Sequence, residues 1–135
     1  MAEYTILRAG EAPDYTGEAP GAFLGYGRPM GASQVAVNMR VLPPHSWNLP
    51  PGFEPGTGHS HESAEEIYVV VAGEVTIKLG DEVERLGMYD AVLIPPETPR
   101  ATRNNSDEEA RLVMISVSVE DPMSETTWHE RFWID

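Results

Sequence analysis

Short apolar segments separated by turn residues constrain this chain more than any other feature of its sequence. Residues 66–72 are rich in β-branched side chains, and Gly73-Glu74 follows them as a tight turn. Residues 75–79 then alternate apolar and polar side chains, which is the period of a half-buried strand. Because no amphipathic helix lies between these segments, we predict an all-β fold of the antiparallel sandwich or barrel type.

The remaining segments extend the same pattern over most of the chain. Further strands are predicted at residues 35–41, 83–86, 91–94, 101–103 and 111–119. Turn residues mark their ends at Pro43-Pro44, Gly80-Asp81, Pro95-Pro96 and the polar run 104–107. With 135 residues, one core is expected. We divide the chain into an N-terminal arm with one or two short strands (residues 1–34), a barrel (35–120) and a C-terminal tail (121–135).

The tail carries three large aromatic side chains close together. Trp128 and Phe132 are four residues apart, the spacing of neighbours on a helix, and Trp133 lies beside them. We expect a short turn here that covers one end of the barrel, with a dimer contact as the alternative. His129 is expected at the surface.

Composition excludes several classes of function. The net charge of −13 repels nucleic-acid backbones and anionic membranes, so neither is an expected partner. Without cysteine, disulfides and thiolate sites are excluded, and any metal must be bound by histidine, carboxylate or water. Residues 1–4 do not begin a signal peptide, and no apolar stretch approaches the roughly 20 residues that span a bilayer. We therefore expect a cytoplasmic protein.

The segment from Gly58 to Gly73 carries the candidate chemistry. In an extended chain residues i and i+2 point to the same side, so His59 and His61 present two imidazoles to one cavity. Glu66 begins the next strand, and a short crossing would bring its carboxylate beside them. Two histidines and one carboxylate can bind a divalent metal and leave positions open for a substrate. The alternative is that the histidines only fill a polar pocket.

The spacing of these residues resembles the first signature motif of the cupins. That motif reads His59-x-His61, four residues, Glu66, six residues and Gly73, and residues 89–104 are similar to the second motif. The similarity runs from about Val35 to Val119. It implies a double-stranded β-helix, the jelly-roll-like cupin barrel, and it implies that His59, His61 and Glu66 are metal ligands.

The chain departs from the second motif at three positions. Cupins usually supply a fourth ligand, a histidine, where this chain has Arg100, and two glycines of the motif are replaced by Tyr89 and Glu97. A protonated guanidinium cannot bind a metal. In one interpretation His59, His61 and Glu66 hold the metal alone, and Arg100 pairs with an anionic substrate. In the other, Arg100 forms a salt bridge with Glu66 and the barrel binds a small molecule without metal.

The sequence says less about the positions and roles of the other polar residues. Tyr68 shares a strand face with Glu66 and is a candidate catalytic residue together with Arg100. Glu65 is expected on the opposite face, in solvent, and His45 is expected to be an exposed loop residue. Alternation alone does not say which face of residues 111–119 points inward, and the polar pair Asn38 and Arg40 has the same ambiguity.

Three functional hypotheses follow. The leading one is a cupin enzyme with a divalent ion, Zn, Mn, Fe or Ni, acting on a small and possibly anionic molecule by isomerase, cyclase, lyase, decarboxylase or dioxygenase chemistry. The second is a cupin that binds a small molecule without catalysis and has lost the metal. The third is a structural or regulatory dimer whose cavity is filled by side chains. A homodimer is expected in each case, because barrels of this size leave apolar strand edges exposed.

Overall fold

A computed structural model describes residues 3–134, so the extreme ends of the predicted arm and tail, residues 1–2 and 135, lie outside the described residues. The elements are eleven β-strands and one short helix. Their bounds are β1 Ala22–Gly25, β2 Val35–Leu42, β3 Ser46–Trp47, β4 Gly58–His61, β5 Glu66–Ala72, β6 Val75–Leu79, β7 Glu82–Leu86, β8 Ala91–Ile94, β9 Arg100–Asn104, β10 Ala110–Val117, α1 Pro122–Glu125 and β11 Thr126–His129.

The strands form two antiparallel sheets. The first has the order β1-β2-β10-β5-β8, and the second has the order β11-β4-β9-β6-β7, with β3 also paired to β9. From β4 to β11 the chain passes repeatedly from one sheet to the other, except at the β6–β7 hairpin, as in a sheet rolled up on itself. This arrangement confirms the predicted all-β, double-stranded β-helix barrel.

The core lies between the inner faces of the two sheets. Strand β5 shows the alternation clearly, since Tyr68 and Val70 are buried while Ile67 is exposed. Burying one such aliphatic side chain contributes about 1.5–3 kcal/mol. The central cluster consists of Leu42, Tyr68, Val70, Val75, Ile77, Ile94, Ala110, Leu112 and Met114.

The arm and the tail both add strands to the sheets. Strand β1 pairs with β2 and so extends the first sheet from within the predicted arm. In the tail, the helical spacing of Trp128 and Phe132 is a wrong indicator of structure, because Trp128 lies in β11 opposite His59 of β4. Long-range strand pairing here outweighs a local spacing of only four residues.

The aromatic residues of the tail do close one end of the barrel. The ring of Phe132 packs so closely on Gly58 that a Cβ there would lie 2.5 Å from it. The Trp133 ring is buried, and Arg103 stacks on it and on Trp47 at 4.3 and 4.8 Å. These contacts support the expectation that the tail covers one end of the barrel rather than forming a dimer contact. No helix within residues 3–134 is both long and apolar enough to cross a membrane.

Candidate metal centre and cavity

Strand β4 positions two imidazoles on the same side. His59 and His61 are half-buried, whereas the intervening Ser60 is buried and bonds instead to His129, with 2.8 Å between Oγ and Nε2. The two imidazole rings are 5.0 Å apart and both line one cavity. Alternation along the strand thus separates the two polar groups that face the cavity from one that faces the tail.

Glu66 brings a carboxylate to the same place from the start of β5. Its Oε1 lies 3.0 Å from Nε2 of His61 and 3.8 Å from Nη2 of Arg100. Tyr68 donates a hydrogen bond to the same oxygen at 3.3 Å. Burial acts to raise the pKa of Glu66, but the bond from His61 and the charges of His61 and Arg100 outweigh it, so the pKa is lowered. The side chain is therefore an ionised carboxylate.

These three side chains fit a divalent metal. One donor atom from each of His59, His61 and Glu66 lies within 4.8 Å of the others. Imidazole nitrogen and carboxylate oxygen suit zinc, manganese, iron and nickel, and three protein ligands leave positions open for a small molecule.

Thr126 fixes the tautomer of His61. Its hydroxyl donates to the carbonyl of Pro122 at 2.8 Å, so its oxygen accepts from Nδ1–H of His61 at 3.2 Å. Nε2 of His61 then faces Glu66, with 3.0 Å between this nitrogen and Oε1, and either a proton or a metal ion can bridge the two atoms. The second ring nitrogen is thus held by the protein, as is usual for metal-binding histidines.

His59 is held in its neutral form. Burial, and after it the charge of Arg100, lowers its pKa to about 3. A neutral imidazole at pH 7 needs no deprotonation before it binds a metal. The ring also lies 5.5 Å from that of Trp128, so β11 covers one side of it.

Arg100 lies behind this cluster, away from the cavity wall. It is opposite His59 on β9, its side chain is completely buried, and none of its guanidinium nitrogens has a hydrogen-bond partner among residues 3–134. Its contact with Glu66 is the ion pair expected if the guanidinium faces the carboxylate. The described lining of the cavity does not include it.

Tyr68 is completely buried and keeps its proton. Burial, together with the charge of Glu66, raises the pKa of its phenol well above the usual range. Its hydroxyl lies at the cavity wall beside the cluster, where it can hold a proton but does not release one at neutral pH. A catalytic role for Tyr68, like one for Arg100, stays a prediction.

The remaining histidines and the second glutamate lie outside the cluster. His45 is exposed and contacts Asp107 at 2.7 Å, Glu65 is exposed, and His129 bonds to Ser60. The placements of His45 and Glu65 agree with the expectations from the sequence, whereas His129 is half-buried because it contacts the buried Ser60.

The cavity has a volume of about 770 Å³ and extends well beyond the cluster. Phe23, Leu49 and Met114 give it apolar walls, and Asn38 and Arg40 add polar groups. A cavity of this size fits an organic molecule of moderate size. It argues against a barrel filled by its own side chains.

The tail also anchors the loop that connects β4 and β5. Glu125 Oε1 accepts hydrogen bonds from the backbone N–H of Ser63 at 2.5 Å and of Ala64 at 2.7 Å, and from the Ser63 hydroxyl. These bonds lower its pKa. Sequence reasoning missed both Glu125 and Thr126, because each acts through contacts more than sixty residues away along the chain.

Tyr89 and Glu97, which stand where the second motif has glycines, have a backbone conformation typical of glycine. Tyr89 has φ of 73° and Glu97 has φ of 66°, in the left-handed region that costs a non-glycine residue about 1–2 kcal/mol. Backbone N–H groups of both are bonded, Tyr89 to Val70 O and Glu97 to His61 O. The turn geometry has therefore been retained despite the substitutions.

Comparisons with known proteins agree with this geometry. The family model Cupin_2, described as a cupin domain, matches residues 45–116, which is more than half of the chain. H2HPP isomerase of Bacillus subtilis is 30% identical over 80 residues, covering 58% of this chain. That alignment spans only 30% of the relative's own length.

Solved structures share the fold at low sequence identity. A cupin protein from Bacteroides fragilis superposes with a TM-score of 0.67 and 22% identity, covering 90% of this chain and 89% of the other. A sugar phosphate isomerase from the cupin superfamily of Silicibacter pomeroyi gives 0.62 and 17%, covering 80% and 74%. At these identities the likeness concerns the fold alone.

Proposed function

This chain belongs to the Cupin_2 family of cupin-domain proteins, and from that premise we propose that it is a metal-dependent isomerase of small organic molecules. One observation carries the proposal: the donor atoms of His59, His61 and Glu66 lie together at the wall of a cavity of about 770 Å³. Two similar proteins are named isomerases, one related in sequence and one in fold, and their names support the reaction class. The cytoplasmic location and the exclusion of nucleic acid stay predictions.

His59, His61 and Glu66 would hold the ion. When bound, a divalent ion supplies Lewis acidity toward an oxygen of the ligand. Thr126 keeps Nε2 of His61 available, and the low pKa of His59 keeps that ring neutral. Tyr68 keeps its proton and donates it in a hydrogen bond to Glu66, so its hydroxyl oxygen can accept a hydrogen bond from a ligand.

Arg100 would act on the site through Glu66. Because its guanidinium is enclosed, it stabilises the ionised carboxylate and moderates the attraction of the cluster for a dication. This role differs from direct pairing with a substrate anion, which would require access from the cavity.

Metal analysis tests the proposal first. Protein purified after growth in metal-rich medium is expected to contain about one equivalent of Zn, Mn, Fe or Ni, which His59→Ala removes. His45→Ala changes an exposed histidine outside the cluster and should leave the metal content unchanged. Protein without metal would favour the rival, a cupin that binds a small molecule without catalysis.

Isotope exchange tests the reaction class. Isomerases that move a proton between carbons exchange it with solvent, so the loaded protein should catalyse deuterium incorporation into members of a panel of 2-oxo acids and sugars in D₂O. Proton NMR follows the exchange, with His61→Ala as the inactive control. Metal binding without exchange on any member of the panel would contradict the isomerase assignment.

We also propose that the chain forms a homodimer through the outer face of the first sheet. An uncharged aliphatic row crosses four paired strands there: Val37, Ile115, Ile67 and Leu93. Ile67 and Leu93 are 41% and 56% exposed. On a chain with a net charge of −13, a row of uncharged side chains is where two copies meet with least repulsion.

Light scattering measures the oligomeric state directly. Ile67→Glu is expected to produce monomers, while Val83→Glu, equally exposed on β7 of the other sheet, should not. A wild-type monomer would contradict the proposal.

A further inference from the structure

Arg40 is a buried cation at a second place on the cavity wall. It lies on the inner face of β2, directly opposite the buried Leu112 of β10, and its side chain is 1% exposed. It lines the same cavity as the metal-ligand cluster.

The hydrogen bonds that Arg40 donates within residues 3–134 both come from one nitrogen. Nη1 donates to the carbonyls of Ala22 at 3.0 Å and Val41 at 2.8 Å. Nη2 is buried and has no hydrogen-bond partner among residues 3–134. Two neutral carbonyls hold the guanidinium in place but do not neutralise it.

No carboxylate of the described chain forms an ion pair with Arg40. Asp14 is the acidic residue whose charge acts on it, but the Asp14 carboxylate is already engaged by the backbone N–H groups of Thr16 and Phe23 and by the Thr16 hydroxyl. In a protein with 22 acidic residues, a buried arginine without an ion pair is an exception. Buried charges are normally paired, because an isolated one is expensive to desolvate.

We propose that the missing partner is a carboxylate of the ligand, which the Arg40 guanidinium binds while the ligand occupies the cavity. The inference rests on the proposed function in that the same ligand would reach the metal-ligand cluster. It assigns to Arg40 the anion contact that the sequence suggested for Arg100.

The surroundings define the rest of the ligand. Arg40 is two strands from Glu66 and four residues further along the sheet, so their α-carbons are roughly 16 Å apart. Acids as short as acetate cannot reach both ends. Phe23, Leu49 and Met114 line the cavity, which favours an apolar body. The single positive charge of Arg40 is matched by a monoanionic carboxylate better than by a phosphate dianion.

Binding to metal-free protein tests the proposal separately from the metal chemistry. The His61→Ala variant, treated with chelator, removes the metal as a competing site for the anion. Calorimetry then compares 4-phenylbutyrate with its neutral analogue 4-phenylbutyramide and with phenyl phosphate. We expect at least a tenfold preference for the carboxylate over the amide, although the net charge of the protein disfavours any anion.

Substitution assigns this preference to one side chain. Arg40→Gln should abolish the preference, while Arg28→Gln, which changes an exposed arginine that also lines the cavity, should retain it. Equal binding of acid and amide, or a preference that survives Arg40→Gln or disappears with Arg28→Gln, would overturn the proposal. Stronger binding of phenyl phosphate would overturn the carboxylate class.

A structural measurement covers the case in which Arg40→Gln does not fold. A crystal structure of the His61→Ala protein with 4-phenylbutyrate should place the carboxylate within hydrogen-bond distance of the Arg40 guanidinium. A carboxylate bound elsewhere would refute the assignment. Failure of the isomerase proposal would instead appear as absent metal or absent isotope exchange with this binding intact.

Discussion

Arg40 and Arg100 are the two largest fully buried side chains, and they solve the same problem in opposite ways. Arg100 faces an internal carboxylate, Glu66, but makes no hydrogen bond within the described chain. Arg40 makes two hydrogen bonds to carbonyls but faces no internal carboxylate. The first cation is thus compensated by the protein itself, whereas the second is prepared for an anion from outside.

This difference gives the cavity two chemically distinct regions, one around Glu66 and one around Arg40. Around Glu66, charges of both signs converge, which suits a metal and a reacting group. Around Arg40, fixed carbonyls and apolar walls surround one cation, which suits the recognition of a ligand end. Variants of residues around Glu66 and around Arg40 test this difference.

The largest effect is expected from Glu66→Gln in metal-free protein. Removing the carboxylate leaves Arg100 buried without an anion, and breaking a buried pair in this way costs about 3–5 kcal/mol. Asp14→Asn is the matched change near Arg40 and should cost much less, because Asp14 forms no ion pair with it and asparagine keeps an oxygen that can accept the same backbone bonds. Urea unfolding measures both, and equal losses would contradict the comparison.

Arg100→His should raise the zinc affinity at least tenfold. The change removes a cation that repels the metal and adds a third imidazole, and so a fourth ligand, at the position opposite His59. Arg100→Met separates the two contributions, because it removes the charge without adding a ligand. Competition with a chromogenic chelator gives the affinities, with the exposed Arg111→His as control. Unchanged affinity in both Arg100 variants would show that this arginine does not influence the cluster.

Thr126→Val should weaken zinc binding about 10- to 100-fold, the usual effect of removing a partner that orients a ligand. The hydroxyl that accepts from Nδ1 of His61 is lost, while the shape of the side chain is nearly kept. Thr127→Val, at the exposed neighbouring position, is the control. If the two variants bind zinc equally well, the proposed tautomer assignment fails.

A smaller effect concerns pH. The folded-state pKa of His59, about 3, lies below the unfolded value of 6.5, so the unfolded chain binds the proton first as the pH falls. Arg100, His61 and His129 oppose protonation of the ring, and Glu66 favours it. Metal-free protein should therefore lose about 1 kcal/mol of stability between pH 7.5 and 5.5. His59→Gln should flatten this part of the profile, and an unchanged slope would contradict the assignment.

Period-two alternation predicted the local part of the structure. It located β5 and β8 with their observed bounds and placed His59 and His61 on one side of their strand. It could not decide whether Arg40 points inward, because that depends on which neighbour β2 pairs with. The register with Leu112 settles the question only in the assembled sheet.

The C-terminal tail shows more strongly that local sequence patterns do not predict long-range contacts. Trp128 and Phe132 have helical spacing, yet pairing of β11 with β4 determines the backbone of Trp128. Nothing near Thr126 or Glu125 in the sequence indicates that they contact the loop and histidine of the first motif. Their roles depend on contacts that only the folded chain creates.

The placement of β11 beside β4 also affects the order of events during synthesis. Residues 126–129 leave the ribosome long after residues 59–66, so a nascent barrel displays both imidazoles before the strand that orients one of them exists. For the proposed metal site, tight ion binding would then follow the docking of β11. Metal acquisition would be a late maturation step, governed by the ions present when this strand pairs with β4.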